Sequence, residues 1–149
     1  MELVTESVET TAEAAAARTA CVLIIDDDPA TRLLCSVSLE LAGLRVLEAE
    51  DGQLGLARAR FERPDLVLTD VKMPGLDGFE LADALRRDER THRIPLIFLS
   101  GEATPADEAR ALAAGALAYM TKPFDPPALA TLVANVLARH SGTDEQQGA

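Results

Sequence analysis

Two stretches decide the fold: Val22–Pro29, V-L-I-I-D-D-D-P, and Leu66–Leu81, L-V-L-T-D-V-K-M-P-G-L-D-G-F-E-L. Each begins as a short, unbroken apolar run and then turns abruptly acidic. Runs of this length suit strands buried on both faces, the pattern of a parallel sheet. Leu96–Leu99 is a third such run. Leu44–Leu47, interrupted by Arg45, reads as an edge strand, and Leu117–Met120 is the fifth candidate.

Helical patterns separate these runs. Asp28-Pro29, Thr104-Pro105 and Asp125-Pro126 each place a capping oxygen before a proline at the first helical position, where a missing N–H costs nothing. Two further helices follow Gly52 and Gly78. Helical spacing predicts that the first helix buries Ala30, Leu33, Leu34, Val37 and Leu41. By the same spacing, the last buries Leu129, Leu132, Val133, Val136 and Leu137. Five βα units predict a doubly wound α/β domain with helices on both faces and right-handed crossovers.

The chain has 149 residues, the length of one domain with its own core. Residues 1–19 are rich in Glu, Thr and Ala and are expected to form a mobile tail, as are residues 141–149. The compact unit is then about 20–140. A net charge of −11 disfavours a nucleic-acid backbone as partner, and 3% aromatic content leaves few platforms for stacking bases. Cys21 and Cys35 sit in or beside apolar runs and read as small buried hydrophobes in a reducing compartment. His92 and His140 lie in polar stretches without a ligand partner and read as solvated. No signal peptide or bilayer-length apolar stretch is present, so the expected location is cytoplasmic.

In an open α/β sheet, ligands bind beyond the carboxyl ends of the strands, where the strand order reverses. Asp26, Asp27 and Asp28 follow the first strand, Asp70 the third, Ser100 the fourth and Lys122 the fifth. Glu48-Ala49-Glu50, after the second, reads as solvated surface. Asp28 has a structural use as the helix cap. If the strands run 2-1-3-4-5, Asp26, Asp27 and Asp70 converge. Two carboxylates ~4 Å apart repel by roughly 4 kcal/mol at an effective dielectric near 20. Such a cluster either raises a pKa or holds a cation. Oxygen-only ligands with open positions favour Mg²⁺.

These residues carry a family resemblance. V-L-I-I-D-D-D-P, L-V-L-T-D-V-K-M-P-G-L-D-G-F-E-L, L-I-F-L-S-G-E-A (96–103) and A-Y-M-T-K-P-F (118–124) resemble, in order, the four signatures of response-regulator receiver domains. The resemblance covers nearly the whole compact unit. It implies the flavodoxin-like (βα)5 fold with a five-stranded parallel sheet in the order 2-1-3-4-5. It also implies that Asp70 accepts a phosphoryl group from a histidine kinase or histidine phosphotransfer protein. Asp26, Asp27, Asp70 and the backbone carbonyl of Lys72 would hold Mg²⁺. Lys122 would pair with a phosphoryl oxygen, its bond to Pro123 being cis.

Ser100 would hydrogen-bond the phosphoryl group, and Tyr119 would be the aromatic switch residue, the alternative for Tyr119 being simple packing at a sheet edge. Lys72 and Glu102 would flank the group and could pair across it. Output would run through the fourth helix, from about Pro105 to Ala114, with the fifth strand and helix. After Ala138 the chain turns polar, so the expectation is a stand-alone domain signalling to a protein target, as a monomer or weak homodimer. The expected role is signalling, not enzymatic turnover.

Two other readings compete. Asp26 and Asp28 have the two-residue spacing of haloacid-dehalogenase-type phosphatases, although those place the nucleophile after the first strand and prefer Thr or Val where Ala30 stands. A docking module that is never phosphorylated would typically lack an acid or the lysine, and all are present.

Overall fold

The computed structural model describes residues 19–101 and 104–148. Its elements follow the order β1 (Cys21–Ile25), α1 (Pro29–Leu41), β2 (Arg45–Ala49), α2 (Gly52–Glu62), β3 (Leu66–Asp70), α3 (Gly78–Arg87), β4 (Leu96–Ser100), α4 (Pro105–Ala113), β5 (Ala118–Thr121) and α5 (Pro126–Gly148). All strands pair in parallel, in the order β2-β1-β3-β4-β5. This is the doubly wound, flavodoxin-like sheet expected from the sequence.

β1, β3 and β4 are buried along their whole length because both faces are covered. Side chains alternate between the faces. Val22, Ile24, Leu66, Leu68, Ile97 and Leu99 meet Leu129, Val133 and Val136 of α5 and Cys35 and Leu39 of α1. Leu23, Ile25, Val67 and Phe98 meet Ala59 of α2, Leu81, Ala82 and Leu85 of α3 and Ala111 of α4. Both cysteines are free and buried, as expected, and burial pushes the Cys35 thiol up to about 12. His92 is exposed and His140 half-buried. Among the described residues no helix is long and apolar enough to cross a membrane.

One expectation needs correction, the buried face of α1. Cys35, Ser36 and Leu39 are its buried residues, while Leu33, Leu34, Val37 and Leu41 are 64, 44, 47 and 84% exposed, and Ala30 is exposed too. The helix carries two apolar stripes, and periodicity cannot say which one meets the sheet. Arg32 reaches back to the Asp26 carbonyl at the end of β1, and the narrower stripe of Cys35 and Leu39 packs against the sheet. At the chain end, helical backbone in α5 continues to Gly148, beyond residue 140. No proline interrupts residues 141–148, and Gly142 inside this stretch lowers helix propensity without ending a helix. Residues 1–18 lie outside the described residues.

The corrected α1 face has a direct consequence. Leu39→Ala is expected to cost about 2–4 kcal/mol through a lost contact and a cavity, whereas Leu41→Ala should change stability by less than about 0.5 kcal/mol. Urea unfolding followed by far-ultraviolet circular dichroism compares them, and equal costs would mean the face is wrongly assigned.

Candidate functional site

Parallel strands all end on one edge, so the loops after β1, β3, β4 and β5 share a small region. Asp26 leaves β1 almost wholly buried, and each of its polar groups is engaged. Its N–H donates to the Ala49 carbonyl at 3.2 Å, and its own carbonyl accepts from Arg32 Nη1 at 2.6 Å. One carboxylate oxygen accepts the Asp28 N–H at 2.9 Å, and the other accepts Lys122 Nζ at 2.8 Å. Asp70 ends β3 and is also buried, its Oδ2 lying 3.4 Å from the same Nζ. Asp27 is exposed. One oxygen from each of Asp26, Asp27 and Asp70 falls within a 4.8 Å cluster.

Lys122 reaches this cluster from just beyond β5, across the ends of β4 and β3. Its peptide bond to Pro123 is cis, and its N–H donates to the Ser100 carbonyl at 2.7 Å. Ser100 is buried at the end of β4, one residue past the Leu99 that pairs with Asp70. On the β3–α3 side, α3 starts hard against the acid: a Cβ on Gly78 would stand 2.5 Å from the Asp70 carbonyl oxygen. Gly75 turns the loop between them at a φ of +76°. Asp77 then caps α3 in a reciprocal box with Glu80.

The electrostatics follow from this crowding. Burial pushes the Asp70 carboxyl above its usual range, and the Asp26 charge pushes it further, with Lys122 opposing both. Burial alone would lower Lys122, but Asp26, with Asp70 behind it, holds the ammonium above its ordinary range. Oxygen-only donors, one of them open to solvent, are the donor set of a hard divalent cation.

The structure therefore brings Asp26, Asp27, Asp70 and Lys122 together, with Ser100 on the adjoining strand end. Tyr119 lies farther back on β5, half-buried, opposite Phe98 in the register. Lys72 is exposed two residues beyond Asp70; its expected pairing with Glu102 lies outside the described residues. Asp28 faces away, capping α1 through the Ala30 N–H and the Thr31 hydroxyl, which removes the phosphatase-type pairing of Asp26 with Asp28. Glu48, expected to be merely solvated, forms an ion pair with Arg32 at 3.4 Å. Sequence reading missed Arg32. A cation near a helix N-terminus opposes the helix dipole, and that misfit was the available signal. Two surface grooves of about 640 and 610 Å³ lie along α3 with its following turn and between α2 and β2, respectively, and neither includes the acid cluster.

A parallel five-stranded sheet with this acid–lysine cluster at its carboxyl edge defines a class of signalling domain. The model of the response regulator receiver domain family matches residues 22–134, and the chain belongs to that family. PilH of Pseudomonas aeruginosa is 40% identical over 117 residues, spanning 78% of this chain and 97% of that protein. The DNA-binding dual master transcriptional regulator RpaA of Synechocystis is 43% identical over 118 residues, but the chain spans only 49% of its length. Likewise it spans 55% of the phosphate regulon regulator PhoB of Pseudomonas aeruginosa. The structure of chemotaxis protein CheY4 of Vibrio cholerae superposes with a TM-score of 0.75 at 35% identity, over 79% of this chain and 98% of that one. A CheY-like receiver domain protein from Methanospirillum hungatei gives 0.78 at 30%, over 84% and 98%.

Asp70→Asn is expected to stabilise the metal-free protein at neutral pH, because a raised folded-state pKa means the ionised form is disfavoured on folding. That penalty exists above the folded-state pKa and fades as pH falls through it. The gap between variant and wild type should therefore close on acidification through the carboxylate range. Chemical denaturation in chelator at several pH values measures it; a gap that widens in acid would contradict the assignment.

Proposed function

We propose that this receiver domain accepts a phosphoryl group on Asp70 from a histidine kinase or histidine phosphotransfer protein, in a Mg²⁺-dependent reaction. The observation that carries this reading is Lys122 Nζ, held 2.8 Å from Asp26 and 3.4 Å from Asp70 beside an open third acid. An Asp70 oxygen attacks phosphorus in line with the phosphohistidine nitrogen. The P–O bond forms as the P–N bond breaks, and imidazole leaves neutral when its other nitrogen carries the proton. The product is an acyl phosphate. Asp26, Asp27, Asp70 and the Lys72 carbonyl would hold Mg²⁺, which supplies charge neutralisation at the transferring oxygens. Lys122 supplies the matching ammonium.

After transfer, Ser100 donates its hydroxyl to the phosphoryl group and Lys122 shifts toward it. Both pull on the loops after β4 and β5. α4 is thinly anchored: Ala111 is its one buried residue, and Arg110 lies 4.0 Å over the Phe79 ring. Phosphorylation favours one conformation through these new contacts and so shifts a population. The affected surface is α4–β5–α5, with Tyr119 as the switch residue. We assign the receiver to residues 20–140, with the remaining segments as tails and α5 running beyond that limit.

The output reading is signalling to another protein in the cytoplasm, by a monomer or weak dimer. The domain turns over no external substrate. Incubation with acetyl phosphate and Mg²⁺ should add one phosphoryl mass to the wild type and none to Asp70→Asn. Lys122→Ala should slow the reaction by about 10²–10³-fold. Labelling of Asp70→Asn at the wild-type rate would refute the assignment.

A further inference from the structure

We infer that Arg32 is a positioning residue for the acid cluster: its guanidinium sets the β1–α1 turn so that Asp26 and Asp27 stay aimed at Asp70. The inference rests on the reading of this cluster as a Mg²⁺ site. Arg32 is only 18% exposed and grips two elements at once, with Nη1 2.6 Å from the Asp26 carbonyl and Nε 3.4 Å from a Glu48 carboxylate oxygen on β2. The Asp26 N–H is already tied to β2 through the Ala49 carbonyl. Both sides of the Asp26 backbone are thus referenced to the same edge strand, one directly and one through Arg32.

The geometry of the peptide bond makes this matter. The Asp26 carbonyl and the Asp27 N–H share one rigid plane, so fixing the carbonyl fixes the direction in which the chain enters Asp27. Asp27 is the exposed member of the cluster and is held in place by that entry. Asp26 has both carboxylate oxygens engaged, by Asp28 and Lys122, and so cannot swing to compensate for a loosened turn.

A charge effect would act in the opposite direction. A bare guanidinium beside the pocket would repel a divalent cation, and its removal would tighten binding. Glu48 neutralises Arg32, which leaves the net field small and the geometry as the main contribution. The ion pair itself is half open to water and adds little to stability. A cation in the first turns of α1 does not serve the helix either.

Isothermal titration of MgCl₂ into wild type, Arg32→Met, Arg32→Lys and Glu48→Gln separates the possibilities. Loss of an outer-sphere contact weakens metal binding by about 10–100-fold, and we expect about tenfold for Arg32→Met. Arg32→Lys keeps the charge but lacks the fork that spans both partners, and should weaken binding by roughly threefold or more. Glu48→Gln should fall between wild type and Arg32→Met. The acetyl phosphate reaction gives an independent split: half-saturating Mg²⁺ rises while the rate at saturating Mg²⁺ stays near that of wild type.

Arg32→Met binding Mg²⁺ as tightly as wild type, or more tightly, would overturn the inference alone. A wild type that shows no Mg²⁺ binding would overturn the site reading and the inference with it. If Arg32→Met does not fold, Arg32→Lys and Glu48→Gln carry the same comparison.

Discussion

The carboxylates of Asp26 and Asp70 converge in a pocket from which most water is excluded, and the ammonium of Lys122 stands 2.8 and 3.4 Å from them. Without that cation, two buried like charges would face each other in a domain whose total stability is small. The lysine does not remove the conflict. Burial and the Asp26 charge still push Asp70 upward, so the cluster remains short of positive charge. A third acid, Asp27, lies at the open side. An arrangement that is tolerable when empty and improved by added cation is suited to a chemistry in which charge comes and goes.

The architecture exists to make this convergence possible. Parallel strands put all five following loops on one edge, and the order β2-β1-β3-β4-β5 makes the two acid-bearing strands neighbours. Gly78 lets α3 begin against the Asp70 carbonyl, where any Cβ would collide with backbone. Phe79 follows it and packs edge-on against Phe98 of β4, with Arg110 of α4 over its ring. A short chain of contacts therefore runs from the acid to the most thinly anchored helix. β2 works from the other side, where Ala49 and Glu48 hold the turn that carries Asp26.

Much of this was legible in the sequence because it is written locally. Unbroken apolar runs mark strands covered on both faces, and Asp-Pro or Thr-Pro pairs mark helix starts. A residue directly after a strand has only one edge of the sheet to occupy, so Asp26, Asp27, Asp70, Ser100 and Lys122 could be nominated without coordinates. α1 shows where that reasoning fails. Its longer apolar stripe, Ala30 to Leu41, looks like a core face and is exposed, while the modest pair Cys35 and Leu39 is buried. Arg32 and Glu48 were invisible as partners because 16 positions separate them, and each alone reads as surface charge.

The amino-acid order by itself determined the kinds and succession of elements, their caps, and which chemical groups would stand at the strand ends. These depend on period, propensity and neighbours a few positions away. Only the tertiary structure decided which stripe of α1 turns inward, which oxygen of Asp26 meets Lys122, and that Arg32 ties β1 to β2. Those outcomes depend on distances between residues far apart in the chain, such as the 96 positions between Asp26 and Lys122, and packing alone sets such distances.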